Sequence, residues 1–238
     1  MIQNVISLAV LLATLFTAFS PRLFSGDFGS VVQALMTPQP VSNGAADSDR
    51  QAVRIGIVAG HWGNGADQGA VCDNGTTEVS LNYDIAYLAA QILEGQGYTV
   101  DLLQEFDPRL TNYRAAVLVS VHNDSCADYG PTATGYKVSP ALGNRDPNLS
   151  SRLVACLYDR YGRATGLPFH PGSITRDMTE YHAFDELDPA TTAAIIETGF
   201  MRLDYEFLTT QTGKVARGIA DGILCFLKNE STNPLPAP

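Results

Sequence analysis

Four side chains of this 238-residue chain could together hold a metal ion and move a proton. His61 stands in Gly60-His61-Trp62-Gly63 and His122 in Val119-Ser120-Val121-His122-Asn123-Asp124, each directly after an apolar run. Glu78 lies between them in Thr77-Glu78-Val79-Ser80-Leu81-Asn82, and Glu197 follows the apolar Ala193-Ala194-Ile195-Ile196. Two imidazoles and a carboxylate are a donor set that suits zinc with one position left open, and a spare carboxylate can act as general acid and base. Each motif alone is weak, because a single strand-end histidine is more often a hydrogen-bonded structural residue than a ligand. Glu197 is the stronger signal: a carboxylate after four apolar residues is costly to bury without a partner.

The elements that must position these groups follow from hydrophobic periodicity. Residues 53–59, 98–103, 115–121, 135–138 and 193–196 read as strands, short and rich in β-branched residues. Residues 78–96, 150–161 and 213–228 read as helices, the first capped by Thr76 or Thr77, so that Glu78 sits in its first turn. Alternating strands and helices predict an α/β domain with a mostly parallel sheet. The two histidines then fall just past the carboxyl ends of strands, where open α/β sheets place ligands.

Composition bounds the function. A formal net charge of −10 argues against nucleic acid as a partner. The uncharged run from Val5 to Phe19 predicts an exported chain, with residues 1–24 as signal peptide or membrane anchor. Residues 25–52 read as a flexible linker, 53–228 as the domain, and 229–238 as a disordered tail. Four cysteines in an exported chain invite disulfides. If both histidines bind one metal, Cys72 and Cys126 are drawn to the same end of the sheet and should pair, whereas Cys156 and Cys225 could equally be core thiols. His170 and His182 are read as loop residues or substrate contacts, and Tyr136 and Phe200 as core rather than groove.

From Val53 to Leu227 the chain resembles the zinc-dependent N-acetylmuramoyl-L-alanine amidases of the type 3 family. The resemblance rests on a Gly-His-Gly-Gly-like loop after the first strand and a Glu opening the first helix. A Ser-Ile-His-Ala-Asn-like motif and a late Glu-x-Gly-Phe complete it. It implies a twisted, mostly parallel sheet flanked by helices on both faces, and one zinc per chain held by His61, Glu78 and His122. Glu197 would be the catalytic acid/base. The implied reaction is hydrolysis of the amide joining the lactyl group of N-acetylmuramic acid to L-alanine in peptidoglycan.

Trp62 departs from the family pattern by replacing the second glycine of the loop, and Arg114 inherits no role because the stretch before it is short. Neither 123–134 nor 140–147 holds an amphipathic run able to form a covering helix, so the cleft should be open without a protein activator, and the chain is read as a monomer. Two other readings compete. A different zinc amidohydrolase or carboxypeptidase acting on peptides is disfavoured, since metallocarboxypeptidases use a tight His-x-x-Glu pair. A non-catalytic peptidoglycan-binding module would have lost a ligand or the late Glu.

Overall fold

Strands that are apolar on both faces must be covered on both sides, and the apolar runs of this chain build such a sheet. The computed structural model describes residues 53–142 and 146–236, so the expected anchor and linker, 1–24 and 25–52, lie outside the described residues. The strands are β1 (Arg54–Ala59), β2 (Thr99–Gln104), β3 (Val117–Asp124), β4 (Lys137–Pro140) and β5 (Thr192–Phe200). The longer helices are α1 (Glu78–Glu94), α2 (Pro147–Thr165) and α6 (Thr212–Leu227). Shorter ones are α3 (Arg176–Thr179), α4 (His182–Asp185) and α5 (Tyr205–Thr210). The sheet order is β2-β1-β3-β5-β4, all parallel except β4, which runs antiparallel to β5. No helix among the described residues is long and apolar enough to cross a membrane.

Strand alternation sorts the core into two halves. Ile55, Ile57, Val119, Val121 and Ile196 pack with α1, α2 and α6 in one cluster. Val58, Leu118, Ala193 and Ile195 face a second cluster with Leu110, Tyr113, Met178, Tyr181 and Phe184. The three long helices thus cover one face, and short turns and helices cover the other. His122 and Glu197 share the parity of the second face.

Several boundaries differ from the expected ones. β3 continues through His122 to Asp124 because its pairing with β5 continues, with His122 opposite Glu197. His122 therefore sits within a strand rather than past its end. β4 starts at Lys137, since Gly135 takes a left-handed φ of 103° and Tyr136 instead bridges to Phe169. α2 begins at Pro147, capped by the Asp146 side chain, and ends at Gly166 in a left-handed φ of 73°.

The helix pair α2 and α6 is closely seated. Gly218 and Gly222 face α2 at Tyr161 and Leu157. Cys156 and Cys225, which could have been core thiols, form a disulfide with Cα atoms 5.6 Å apart. Residues 229–236 have no regular structure but are not the free tail expected. Arg152 donates to the Glu230 carbonyl at 2.9 Å, Arg160 pairs with the Glu230 carboxylate at 3.0 Å, and the Asn233 amide reaches Asp159 at 3.3 Å.

The α2–α6 contact makes a prediction. A Cβ on Gly222 would lie 2.8 Å from Leu157 Cδ2 and 2.9 Å from Leu157 Cα. Gly222→Ala should therefore destabilise the fold by about 1–3 kcal/mol through overpacking, against the ~1 kcal/mol gain that alanine gives an isolated helix. Urea unfolding reads the difference, and an unchanged or raised midpoint would show that the helices do not need this approach.

Candidate metal centre

The three donor residues reach one point from three different elements. β1 ends at Ala59, and the Gly60 amide still bonds the Val121 carbonyl at 3.0 Å, which holds the loop start to β3. His61 then takes a left-handed φ of 63°, an uncommon conformation for a residue with a side chain. Its amide donates to Glu105 Oε2 at 2.8 Å, and its Nδ1 lies 3.1 Å from Asp67 Oδ2. Its Nε2 lies 3.2 Å from Glu78 Oε1. The same oxygen lies 3.2 Å from His122 Nδ1.

Glu78 is placed by the start of α1. Thr77 caps the helix, its hydroxyl accepting from the Ser80 amide at 3.3 Å. The buried Glu78 carboxylate accepts from the Ala70 amide at 3.0 Å, from Asn82 Nδ2 at 3.2 Å and from the Asn123 amide at 3.3 Å. Asn82 also donates to the Gly60 carbonyl at 3.0 Å and accepts from Asn123 Nδ2 at 2.8 Å. Thr198 on β5 donates to Asn123, and Tyr161 on α2 donates to the Thr198 carbonyl at 2.6 Å. A buried polar chain thus runs from the donor cluster into the helical layer.

Two glycines make room. A Cβ on Gly60 would fall into the His122 ring, and one on Gly69 would strike both Glu78 and His61. The disulfide between Cys72 and Cys126, with Cα atoms 5.3 Å apart, ties the loop after His61 to the loop after His122, as expected.

Glu197 completes the set. Its register partners are His122 on β3 and Lys137 on β4, which puts an imidazole, a carboxyl and an ammonium in one cross-strand row. Its Oε2 is buried and has no hydrogen-bond partner among the described residues. Lys137 is buried, paired with Asp124, and its Nζ lies 5.2 Å from the Phe200 ring centre.

The electrostatics follow from this crowding. Burial alone would raise the Glu78 carboxyl, but hydrogen bonds and charge from His122 and His61 outweigh it and hold it well below the usual range. His61 is pushed up to about 9, chiefly by its hydrogen bond to Glu78 against an opposing effect of burial. Burial pushes Glu197 up to about 7, with Glu78 and Asp124 adding to the rise and His122 and Lys137 opposing it. The cluster attracts positive charge, and the carboxyl beside it can exist in either protonation state near neutrality.

His61, Glu78 and His122 form a group with one ligand atom each, all within 4.8 Å of one another. His61 also joins Asp67 and Glu105 in a second such group, through which those carboxylates can orient the imidazole from behind. The site opens onto a cleft of about 490 Å³ on the second face, lined by His61, His122 and Glu197 together with Glu180, Tyr181 and His182.

That far wall was not expected from the sequence. No helix covers the site from residues 123–142, but the segment between α2 and β5 folds beside it. Tyr181 meets the His122 ring edge-on at 5.3 Å and donates to Glu105 at 2.9 Å. His182 is not an exposed loop residue: it stacks on Phe106 at 4.2 Å and borders the cleft. His170 bonds Ser173 at 2.7 Å and meets Phe200 edge-on, lining a neighbouring depression that Phe200 also borders. Tyr136 is core, 1% exposed. Asn82 was legible in principle, lying four residues after Glu78 on the same helix face. Glu105, Asp67 and Tyr181 carried no such signal.

A family model described as N-acetylmuramoyl-L-alanine amidase matches residues 55–225. No curated protein matches the chain in sequence. The structure of the N-acetylmuramyl-L-alanine amidase Ami1 from Mycobacterium smegmatis is similar, with a TM-score of 0.61 and 17% identity over 76% of this chain and 99% of that one. An N-acetylmuramoyl-L-alanine amidase from Clostridium difficile 630 gives 0.59 and 23% identity, over 76% of this chain and 100% of the other. The CwlD amidase from Clostridioides difficile, solved in complex with the GerS lipoprotein, gives 0.58 and 22% identity over 75% and 100%. At these identities the structural likeness is one of fold.

The polar chain behind the donors supplies a prediction. Asn82→Leu leaves the Gly60 carbonyl and the Asn123 side-chain amide without their partner, so it should destabilise the fold by about 1–3 kcal/mol. It should also loosen the placement of Glu78. Chemical denaturation checks the first, and a variant as stable as the parent would show that the network is not under this constraint.

Proposed function

Because the chain belongs to the N-acetylmuramoyl-L-alanine amidase family, we propose that it is a zinc-dependent hydrolase of peptidoglycan. It cleaves the amide between the lactyl group of N-acetylmuramic acid and L-alanine of the stem peptide. The observation that carries this reading is the convergence of His61, Glu78 and His122 beside Glu197, whose Oε2 is buried without a hydrogen-bond partner among the described residues. The donor set fits zinc. Two imidazoles and one carboxylate are the borderline nitrogen and oxygen ligands it prefers, and a buried carboxylate crowded by two imidazoles is a place where a cation is favoured. His61, Glu78 and His122 would hold one ion per chain. Bound there, zinc supplies Lewis acidity toward a water and the amide carbonyl.

The protein's own groups do the rest. Glu197 Oε2 takes a proton from the attacking water and passes it to the departing alanine nitrogen, a role that suits a carboxyl balanced near neutral pH. Asp67 and Glu105 fix the His61 ring and backbone, and Asn82 with the Ala70 amide fixes Glu78, so little reorganisation is needed when substrate arrives. Tyr181 borders the cleft on the second face, its ring against His122. The retention of all four groups supports an enzyme over a binding-only module on the same fold.

Two disulfides among the described residues favour an exported protein. The uncharged run within 1–24 serves as signal or anchor. The domain acts as a monomer without an activator, consistent with a His61 side chain that keeps 22% exposure at the cleft.

Two measurements test this. Metal analysis of the purified protein should find one zinc per chain, and His122→Ala should lose it. Full zinc occupancy in that variant would overturn the ligand set. Incubated alone with purified peptidoglycan, the protein should release stem peptides that begin with a free alanine amine. Glu197→Gln should keep its zinc while turnover falls by about 10²–10⁴. Near-normal turnover in that variant would move the acid/base role elsewhere.

A further inference from the structure

The loop pattern that this chain resembles has glycine where Trp62 stands, and Trp62 is the only tryptophan in the sequence. Its ring packs edge-on against Tyr83 at 4.9 Å. Tyr83 in turn lies nearly parallel to Tyr87, with ring centres 6.1 Å apart and planes 10° apart. The two tyrosines are one helical turn apart on α1, and Gln91, a further turn on, donates to the Tyr87 hydroxyl at 2.8 Å. Tyr87 is 43% exposed. The result is an aromatic ladder that starts next to His61 and descends α1 away from the donor cluster.

We propose that this ladder binds the glycan strand of the substrate, an inference that rests on the proposed reaction. Hexose rings present flat C–H faces that stack on aromatic planes and a rim of hydroxyl and acetamido groups that need hydrogen-bond partners. Tyrosine and glutamine side chains supply both. The placement matches the chemistry of a muramoyl peptide, in which sugar and peptide diverge from opposite sides of the scissile amide. The cleft beyond His122 and Glu197 lies on the second face of the sheet. The ladder lies on the side of α1, which packs against the first face. An amide held at the donor cluster can therefore send its peptide toward the cleft and its sugar toward Trp62. Charge favours sugar as the occupant: Asp84 and Glu94 are exposed on the same helix, and the net charge of −10 disfavours anionic lipid or a carboxylate-rich peptide there.

Trp62 provides its own readout. The full-length protein is titrated with the β-1,4 hexamer of N-acetylglucosamine, which has the glycan backbone but neither lactyl group nor stem peptide. The expected result is a saturable change in tryptophan emission, present equally in Glu197→Gln. Tyr87→Ala, an exposed substitution that spares the core, should raise Kd about three- to tenfold, and Tyr87→Phe should restore most of the affinity. No saturable change, or equal affinity in Tyr87→Ala and the parent, would overturn the ladder while leaving the hydrolytic reading intact. An emission change given by vesicles of anionic phospholipid and not by the sugar would overturn it in favour of membrane contact. Loss of the hydrolytic reading would appear instead in the peptidoglycan digest, which this titration does not use.

Discussion

The molecule is arranged around one buried negative charge. Glu78 Oε1 faces His61, His122, Asn82 and the Asn123 amide at once, and Oε2 takes the Ala70 amide. An ionised carboxylate away from water is tolerable only when its lone pairs are filled and opposite charge is near. Meeting that condition requires the loop from Gly60 to Ala70, the first turn of α1 and the end of β3 to meet at one point. The glycines at 60 and 69 follow from the same demand, because any side chain there would occupy the space that the imidazoles and the carboxylate need. The left-handed His61 is a local cost that these contacts, with Glu105 behind the backbone, offset.

The sheet supplies what the loops cannot. Parallel strands β1, β3 and β5 bring their carboxyl ends to one edge, which delivers His61, His122 and Glu197. β4 runs the other way, so it delivers a residue from its beginning: Lys137, its first residue, stands across from Glu197. A single reversed edge strand thus adds a cation to a row that an all-parallel sheet would leave without one, and Asp124 keeps that cation from facing Glu197 unpaired.

The sequence showed most of this framework, for reasons that also explain what it hid. Continuous short apolar runs mark the strands and apolar residues at period 3.6 the long helices, and Glu78 after two threonines is a helix start that needs no tertiary knowledge. The family likeness linked His61, Glu78, His122 and Glu197, and the structure brings all four to one edge of the sheet. What escaped was everything decided by partners distant in sequence. β3 and β5 lengthen through polar residues because they pair with each other, which no local pattern records. Tyr181 and His182 come from a stretch of short turns without periodicity, so their place beside the cleft is set by packing on the second core rather than by their own segment. The tail looked free because it is polar, and Arg152 and Arg160 hold it for the same reason. Cys156 and Cys225 sat on helical patterns that suit a core thiol, and only the approach of α2 to α6 makes them neighbours.

The bridge between Cys72 and Cys126 has a consequence for timing. It joins two irregular loops, neither of which has a strand or long helix of its own to hold it, and each follows one of the two imidazoles. Linking positions 54 residues apart removes on the order of 4 kcal/mol of disorder from the open chain. That contribution exists only where thiols can be oxidised. A newly made chain in a reducing compartment lacks the clasp, and an oxidising one provides it. Completion of the two loops that carry His61 and His122 is in this sense coupled to geography: the frame closes only where the chain meets an oxidant.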